Sequence, residues 1–236
     1  MKNLSIIIPA HNEENRIDET LKSYTEYYKN SDIQNYEILV ILNGCTDNTE
    51  AVVKKYIQSD LKTRYLVYPE AIGKGGAIMR GFENSRFDNI AYVDADNSIR
   101  PEILNKLFDK MIEKKVDCIA GSRWLKGAIV KKQPIIRRIT SRVFNLIVNI
   151  YFQLNIKDTQ CGAKIITRKV MNSILFQLSI MNMAFDVNLL VEVKNKGFTI
   201  LEYPIEWEDK PHSKVKLSRS SFAMFKAITQ LKFTNN

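Results

Sequence analysis

Short, nearly continuous apolar runs alternate with longer amphipathic stretches through the first half of the chain. The pattern predicts strands at about 4–9, 36–42, 64–68, 90–94 and 116–121, and helices at about 13–29, 46–58, 74–86 and 101–114. The strands carry apolar residues on both faces, as expected when helices cover both sides of a parallel sheet. Strand–helix alternation with short joins predicts a doubly wound α/β fold, which binds ligands at the carboxyl ends of its strands. The second half is less regular. A loop with Gly127 and Pro134 covers 122–137, and a strongly apolar helix follows, from Ile139 to Leu154. Val143, Phe144, Ile147, Val148, Ile150, Tyr151 and Phe152 take up more than half of its circumference. Such a helix is buried or lies against lipid. Further elements are expected at 163–167 (strand), 168–177 and 185–196 (helices, the second ended by Gly197), 199–205 (strand) and 219–232 (helix). The expectation is one domain over 1–236, with a nucleotide-binding half to about 121 and an acceptor-binding half from about 122.

The fourth run, Ile-Ala-Tyr-Val, ends in Asp94-Ala-Asp96. In an extended chain, residues two apart point to the same side, so both carboxylates are expected side by side at the sheet's ligand-binding edge. Two acids so placed repel each other unless a cation lies between them. Cys45, Cys118 and Cys161 show no Cys-x-x-Cys spacing, which suits reduced thiols in the cytosol, and the chain's two histidines make a zinc site a poor expectation. The first residues lack a signal-peptide layout, and no segment has the apolar length of a membrane span.

The net charge of +9 is uneven. Between Asp117 and Asp158 there is no acid, while Arg123, Lys126, Lys131, Lys132, Arg137, Arg138, Arg142 and Lys157 are basic. This stretch is either a solvated basic face or a field for an anionic partner such as phosphate, an anionic lipid surface or nucleic acid.

Several motifs then fall in order. Ser5-Ile-Ile-Ile-Pro-Ala-His-Asn-Glu-Glu14 ends the first strand, Asn43-Gly-Cys-Thr-Asp47-Asn-Thr49 the second, and Gly73-Lys-Gly-Gly-Ala-Ile-Met-Arg-Gly81 opens the third helix. After the paired aspartates come Gly121-Ser-Arg123, Asp158-Thr-Gln-Cys-Gly-Ala-Lys164, Phe185-Asp-Val187 and Ser213-Lys214. In this order and spacing the chain resembles family 2 glycosyltransferases of the GT-A fold, and within them the dolichyl-phosphate sugar synthases, over residues 3–220. The Cys-Gly of Cys161-Gly162 is closer to the glucosyl members than to the mannosyl ones.

The resemblance implies a division of labour. Pro9, His11, Glu13, Asn43 and Asp47 would hold the nucleoside, although Asp47 also suits a helix cap. Gly73 and Lys74 would face the diphosphate. The loop is no P-loop, since Gly75 follows Lys74 where that motif needs Ser or Thr. Asp94 and Asp96, with Ser98, would hold a divalent Mg²⁺ or Mn²⁺, and Asp94, Asp96 and Arg123 form the catalytic group. Arg123, Arg137, Ser141 and Lys214 would take the acceptor phosphate, with Arg138 or Arg142 as substitutes for Arg137. Gln160 and Asp158 would contact the sugar or order their loop. Asn188 stands where relatives often carry Glu.

The expected reaction is metal-dependent, inverting transfer of a hexose, glucose from UDP-glucose by preference, onto dolichyl or polyprenyl phosphate. Another donor (GDP-mannose or a UDP-N-acetylhexosamine) and a saccharide or lipid-linked glycan acceptor remain open. The enzyme is expected in the cytoplasm, peripheral on a membrane surface, through 139–154 and 222–233, helices that equally suit a homodimer interface. A phosphatase of the haloacid dehalogenase type has its nucleophile after the first strand, whereas this pair follows the fourth. No nucleic-acid motif accompanies the basic charge, so nucleic acid is not an expected partner.

Overall fold

The computed structural model describes residues 2–210 and 217–234. Seven strands form one sheet in the order β3-β2-β1-β4-β7-β5-β8. They are β1 (Asn3–Ala10), β2 (Asn35–Asn43), β3 (Thr63–Tyr68), β4 (Asn89–Tyr92), β5 (Cys118–Ser122), β7 (Lys164–Thr167) and β8 (Ile200–Pro204). All neighbours are parallel except β7, which runs antiparallel between β4 and β5. A separate parallel pair, β6 (Ile129–Lys131) and β9 (Glu206–Glu208), lies in the second half and was not foreseen from the sequence. Such short strands leave too few residues for an apolar pattern to register.

Helices α1 (Ile17–Lys29), α2 (Thr49–Ser59) and α4 (Pro101–Lys114) accompany the first half with α3 (Gly73–Asn84). Helices α5 (Ile135–Phe152), α6 (Arg168–Ile174), α7 (Phe185–Asn195) and α8 (Leu217–Thr234) belong to the second. The unbroken apolar runs of β1 and β2 are explained by two cores. Ile6, Ile8, Ile38, Val40 and Leu42 pack with α1 and α4 through Leu21, Tyr24, Leu104 and Phe108. Ile7, Leu39 and Ile41 point the other way, to Ile78 and Phe82 of α3 and to Phe185 and Leu189 of α7. The strand period of two thus divides one apolar run between both sides of the sheet.

Some boundaries differ from expectation. Helix α1 begins at Ile17, not at 13, because residues 12–16 are engaged elsewhere: Asn12 Oδ1 accepts from Thr46 N at 2.7 Å and Thr49 Oγ1 accepts from Glu13 N at 2.7 Å. Strand β4 stops at Tyr92, and the chain turns at residues 95 and 96 before Asn97 takes a left-handed φ of 54°. Helix α5 starts at Ile135, one turn early, with Pro134 as its N-cap. It is also less buried than its composition suggested. Only Asn145 and Val148 are buried, while Ile135, Ile136, Ile139, Val143, Leu146 and Ile150 form an exposed apolar stripe. Phe222, Phe225 and Phe233 of α8, which packs on α5, are exposed as well.

Candidate active site

A cavity of about 420 Å³ opens beyond the carboxyl ends of β4 and β5, under α5 and α8. Lys74, Asp94, Asp96, Ser98, Arg123, Arg137, Ser141 and Gln160, all singled out from the sequence, line it together. Asp186, Gln133, Thr140, Trp207 and Met224 complete much of the wall.

The two aspartates share the cavity but not a direction. Asp94 Oδ1 pairs with Lys74 Nζ at 2.8 Å. Asp96 Oδ1 accepts from the Ser98 amide at 3.0 Å, and its Oδ2 lies 3.6 Å from Arg16 Nη1. Burial pushes the Asp94 carboxyl up; Lys74 opposes this, and the Asp96 charge adds to it. Lys74 in turn lies 3.4 Å from Asp186 Oδ2. Burial works against its charge, yet Asp186 and Asp94 together raise its pKa above the ordinary lysine value. Asp186 is itself held by the buried Lys164, at 2.6 Å, and by the Tyr92 hydroxyl, at 2.6 Å. Lysines and carboxylates therefore alternate from Lys164 to Asp94 inside the protein, each charge offsetting the next.

A divalent ion fits this site in kind. Asp94, Asp96 and Ser98 offer only oxygen, as hard cations prefer, and a cation there would offset the paired Asp94 and Asp96 charges. Among the described residues no three His, Cys, Asp or Glu side chains gather as a metal cage. Mg²⁺ is commonly held by one or two carboxylates with substrate phosphates and water.

Arg123, expected to take the acceptor phosphate, lines the cavity with its guanidinium engaged by a carboxylate. Its Nε and Nη2 donate to Asp158 at 2.7 and 2.9 Å, and its backbone N donates to the same carboxylate at 2.9 Å. The guanidinium also lies over the rings of Trp124 and Trp207, 5.5 and 5.3 Å from their centroids. Burial opposes both charges of the pair, but each partner outweighs it: Arg123 is pushed up and Asp158 down. Asp158 thus orders its loop. Arg137 pairs with Asp209 at 2.6 Å, while Arg138 and Arg142 turn to the Trp124 ring, at 5.8 and 4.4 Å, and neither lines the cavity. Lys131 and Lys132 pair with Glu206 and Glu208. The acid-free stretch is neutralised in part by acids on the returning 206–209 segment.

In the Gly73–Gly76 turn, Lys74 lines the cavity. The Gly75 amide donates to Met181 O at 2.7 Å and is not free for a diphosphate. A β-carbon at Gly73 or Gly75 would lie 2.3 Å from Met181 O or 2.2 Å from Ile180 O. These glycines permit close packing and leave Lys74 to face the cavity. Asn188 is wholly buried, its Oδ1 accepting from the amides of Ser179 and Ile180 at 2.8 and 3.1 Å, so it braces the segment before α7.

Pro9, His11, Glu13, Asn43 and Asp47 cluster at the ends of β1 and β2, beside the cavity and not on its wall. His11 Nδ1 lies 2.6 Å from Asn43 O, Asn43 Oδ1 accepts from Ile72 N at 2.7 Å, and Asp47 accepts from the Thr49 and Glu14 amides. Arg16, which sequence reasoning missed, joins the two regions: it grips Glu13 at 2.6 and 2.7 Å and reaches Asp96. Its only signal was the i,i+3 spacing from Glu13. Lys214 lies outside the described residues.

Fold and site together define a glycosyltransferase of the GT-A type. A family model described as Glycosyl transferase family 2 matches residues 5–175, and the chain belongs to that family. Among curated proteins it is 34% identical to a Dolichyl-phosphate beta-glucosyltransferase of Dictyostelium discoideum, over 98% of this chain and 74% of that one. It is 31% identical to the Homo sapiens protein of the same name, over 91% and 70%, and 28% identical to Glycosyltransferase AglD of Haloferax volcanii, over 94% of this chain and 35% of that one. The chain thus spans about a third of the archaeal relative. Among solved structures, glucosyl-3-phosphoglycerate synthase of Mycobacterium tuberculosis, in complex with Mn²⁺, UDP and phosphoglyceric acid, superposes with a TM-score of 0.75 at 16% identity, over 98% of this chain and 78% of that one. Mannosyl-3-phosphoglycerate synthase of Rubrobacter xylanophilus gives 0.69 at 15%, over 99% and 74%.

Proposed function

We propose that this enzyme moves glucose from UDP-glucose onto the phosphate of dolichol or another polyprenol, with inversion, giving a β-linked lipid-phosphate sugar and UDP. One observation carries the reading. One cavity is lined by Lys74, Asp94 and Asp96, by Arg137 and Ser141, and by Ile139, Val143 and Phe225, apolar side chains that are also exposed at the surface. The dolichyl-phosphate beta-glucosyltransferases among the relatives support this acceptor and this sugar. The UDP and Mn²⁺ in a related structure support the donor and the metal.

Asp94 and Asp96, with Ser98, would hold Mg²⁺ or Mn²⁺, which when bound offsets charge on the departing diphosphate. Lys74 faces the same diphosphate, and His11, Glu13, Asn43 and Asp47 hold the nucleoside beside Pro9. A phosphate monoester is already largely ionised at neutral pH. It therefore needs positioning and no strong base. Its oxygen attacks the anomeric carbon as the bond to UDP breaks, and the electron pair leaves on the diphosphate. Arg137 and Ser141 hold the attacking phosphate, and Arg123, locked on Asp158, fixes the wall beside it. Gln160 lies by the sugar.

No described helix is long and apolar enough to cross a membrane. The exposed apolar side chains of α5 and α8 would rest on the lipid surface, with Arg138 and Arg142 at its headgroups. A homodimer through this face is the competing occupant. Purified protein with Mn²⁺ and labelled UDP-glucose, UDP-N-acetylglucosamine or GDP-mannose, with and without polyprenyl phosphate, tests the reaction. Label should enter the organic phase from UDP-glucose only when the lipid is present. Transfer to a saccharide instead would overturn the reading. Flotation with anionic vesicles tests the surface; a stable dimer that ignores vesicles would reject it.

A further inference from the structure

Tyr28, Asn105, Trp124, Gln133 and Asn188 each bury a side-chain polar atom that finds no partner among the described residues. Only Gln133 does so on the wall of the cavity. Both ends of its amide, Oε1 and Nε2, are left unpaired. A buried, unpaired amide weakens a fold, and natural proteins keep such groups where something else completes them. Lys132 takes a left-handed φ of 60° and pairs with Glu208 at 2.7 Å, and Pro134 caps α5.

The chemistry of the missing partner follows from the amide. Nε2 donates and Oε1 accepts. A phosphate only accepts, so it would satisfy one end and leave the other orphaned. A nucleobase edge offers both, but the groups suited to the nucleoside lie at the ends of β1 and β2, off the cavity wall. Neighbouring sugar hydroxyls both donate and accept. We propose that Gln133 is a specificity-determining residue that holds two adjacent hydroxyls of the transferred hexose. The proposal rests on the reading of this cavity as the site of sugar transfer.

The test compares wild-type protein with Gln133→Met, which keeps the length and removes both orphaned atoms. Calorimetry with UDP and with UDP-glucose, in Mn²⁺, separates the sugar's share of binding from the nucleotide's. The variant should bind UDP as wild type does, bind UDP-glucose about tenfold or more weakly, and melt no lower than wild type. Unchanged UDP-glucose affinity, or an equal loss for UDP, would overturn the proposal. A second measurement needs no variant. Donors with single deoxy positions should lose affinity for wild-type protein at two neighbouring hydroxyls, and a uniform series would overturn the proposal as well. These binding measurements are independent of turnover. A wild-type enzyme that binds UDP-glucose through Gln133 but gives no lipid product would reject the proposed acceptor alone.

Discussion

A β-carbon at Gly162 would lie 1.9 Å from Oδ2 of Asp94. The bare α-carbon of residue 162 and the Lys74 ammonium confine this carboxylate from two sides. Gly162→Ala should therefore act on function more than on the fold. The carboxylate can yield at an overpacking cost of about 1–3 kcal/mol, while a misplacement of about 1 Å at a reacting site costs roughly 100-fold in rate. Thermal melting and kcat/KM, measured together, check this. Unaltered kinetics would separate Asp94's position from catalysis.

Asp96→Ala should abolish metal-dependent turnover, whereas Arg137→Ala should chiefly raise KM for the lipid acceptor. The Arg137–Asp209 pair is partly exposed, so its loss should change stability by less than about 1 kcal/mol. Initial rates with donor and acceptor varied separately distinguish the two variants. An Asp96→Ala enzyme with normal metal response would reject the metal assignment.

The Arg123–Asp158 pair is nearly closed to solvent. Asp158→Asn leaves the guanidinium buried without its counter-charge, and loss of one partner of such a pair costs about 3–5 kcal/mol. The same pair sets an acid dependence. The folded-state pKa values of Asp158 and Asp186 are both depressed, Asp158 by Arg123 and Asp186 by Lys164 and Lys74, against burial. Their stabilisation is complete above the ordinary carboxylate value of 3.8 and is lost as pH falls through the lower folded values. Urea midpoints from neutral pH down to about pH 3 should fall steeply at the acid end, and less steeply for Asp158→Asn. A flat wild-type profile would contradict the assigned pairing.

Cys118 and Cys161 are buried, and burial pushes both thiols up to about 12. Cys45 is half-buried at the end of β2. Because the thiolate is the reactive form, iodoacetamide should label Cys45 alone in the native protein, and all three in urea. Mass spectrometry of the labelled peptides reads this directly. Fast native labelling of Cys161 would mean that the loop carrying Gly162 opens.

Much of the architecture was present in local pattern. Apolar runs at β1, β2 and β4 announced buried strands because a strand covered on both sides needs apolar residues at every position. The motifs at Lys74, Asp94, Asp96, Arg123, Arg137 and Ser141 announced a site, and the fold gathers them around one cavity. Their partners were not legible. Lys74 meets Asp186 across 112 residues, and Arg123 meets Asp158 across 35. Gln133 carried no sequence signal, since an amide in a loop looks alike whether it faces water or a cavity.

The sequence by itself determined the strand–helix rhythm and the kinds of side chain at the strand ends, because both depend on near neighbours along the chain. Only the tertiary structure decided which charges neutralise one another, which glycines serve packing, and which face of α5 stays bare. Those outcomes depend on β7 entering antiparallel between β4 and β5 and on α8 returning over α5. Such juxtapositions of distant segments set burial, and burial determines whether a charge or an amide must have a partner.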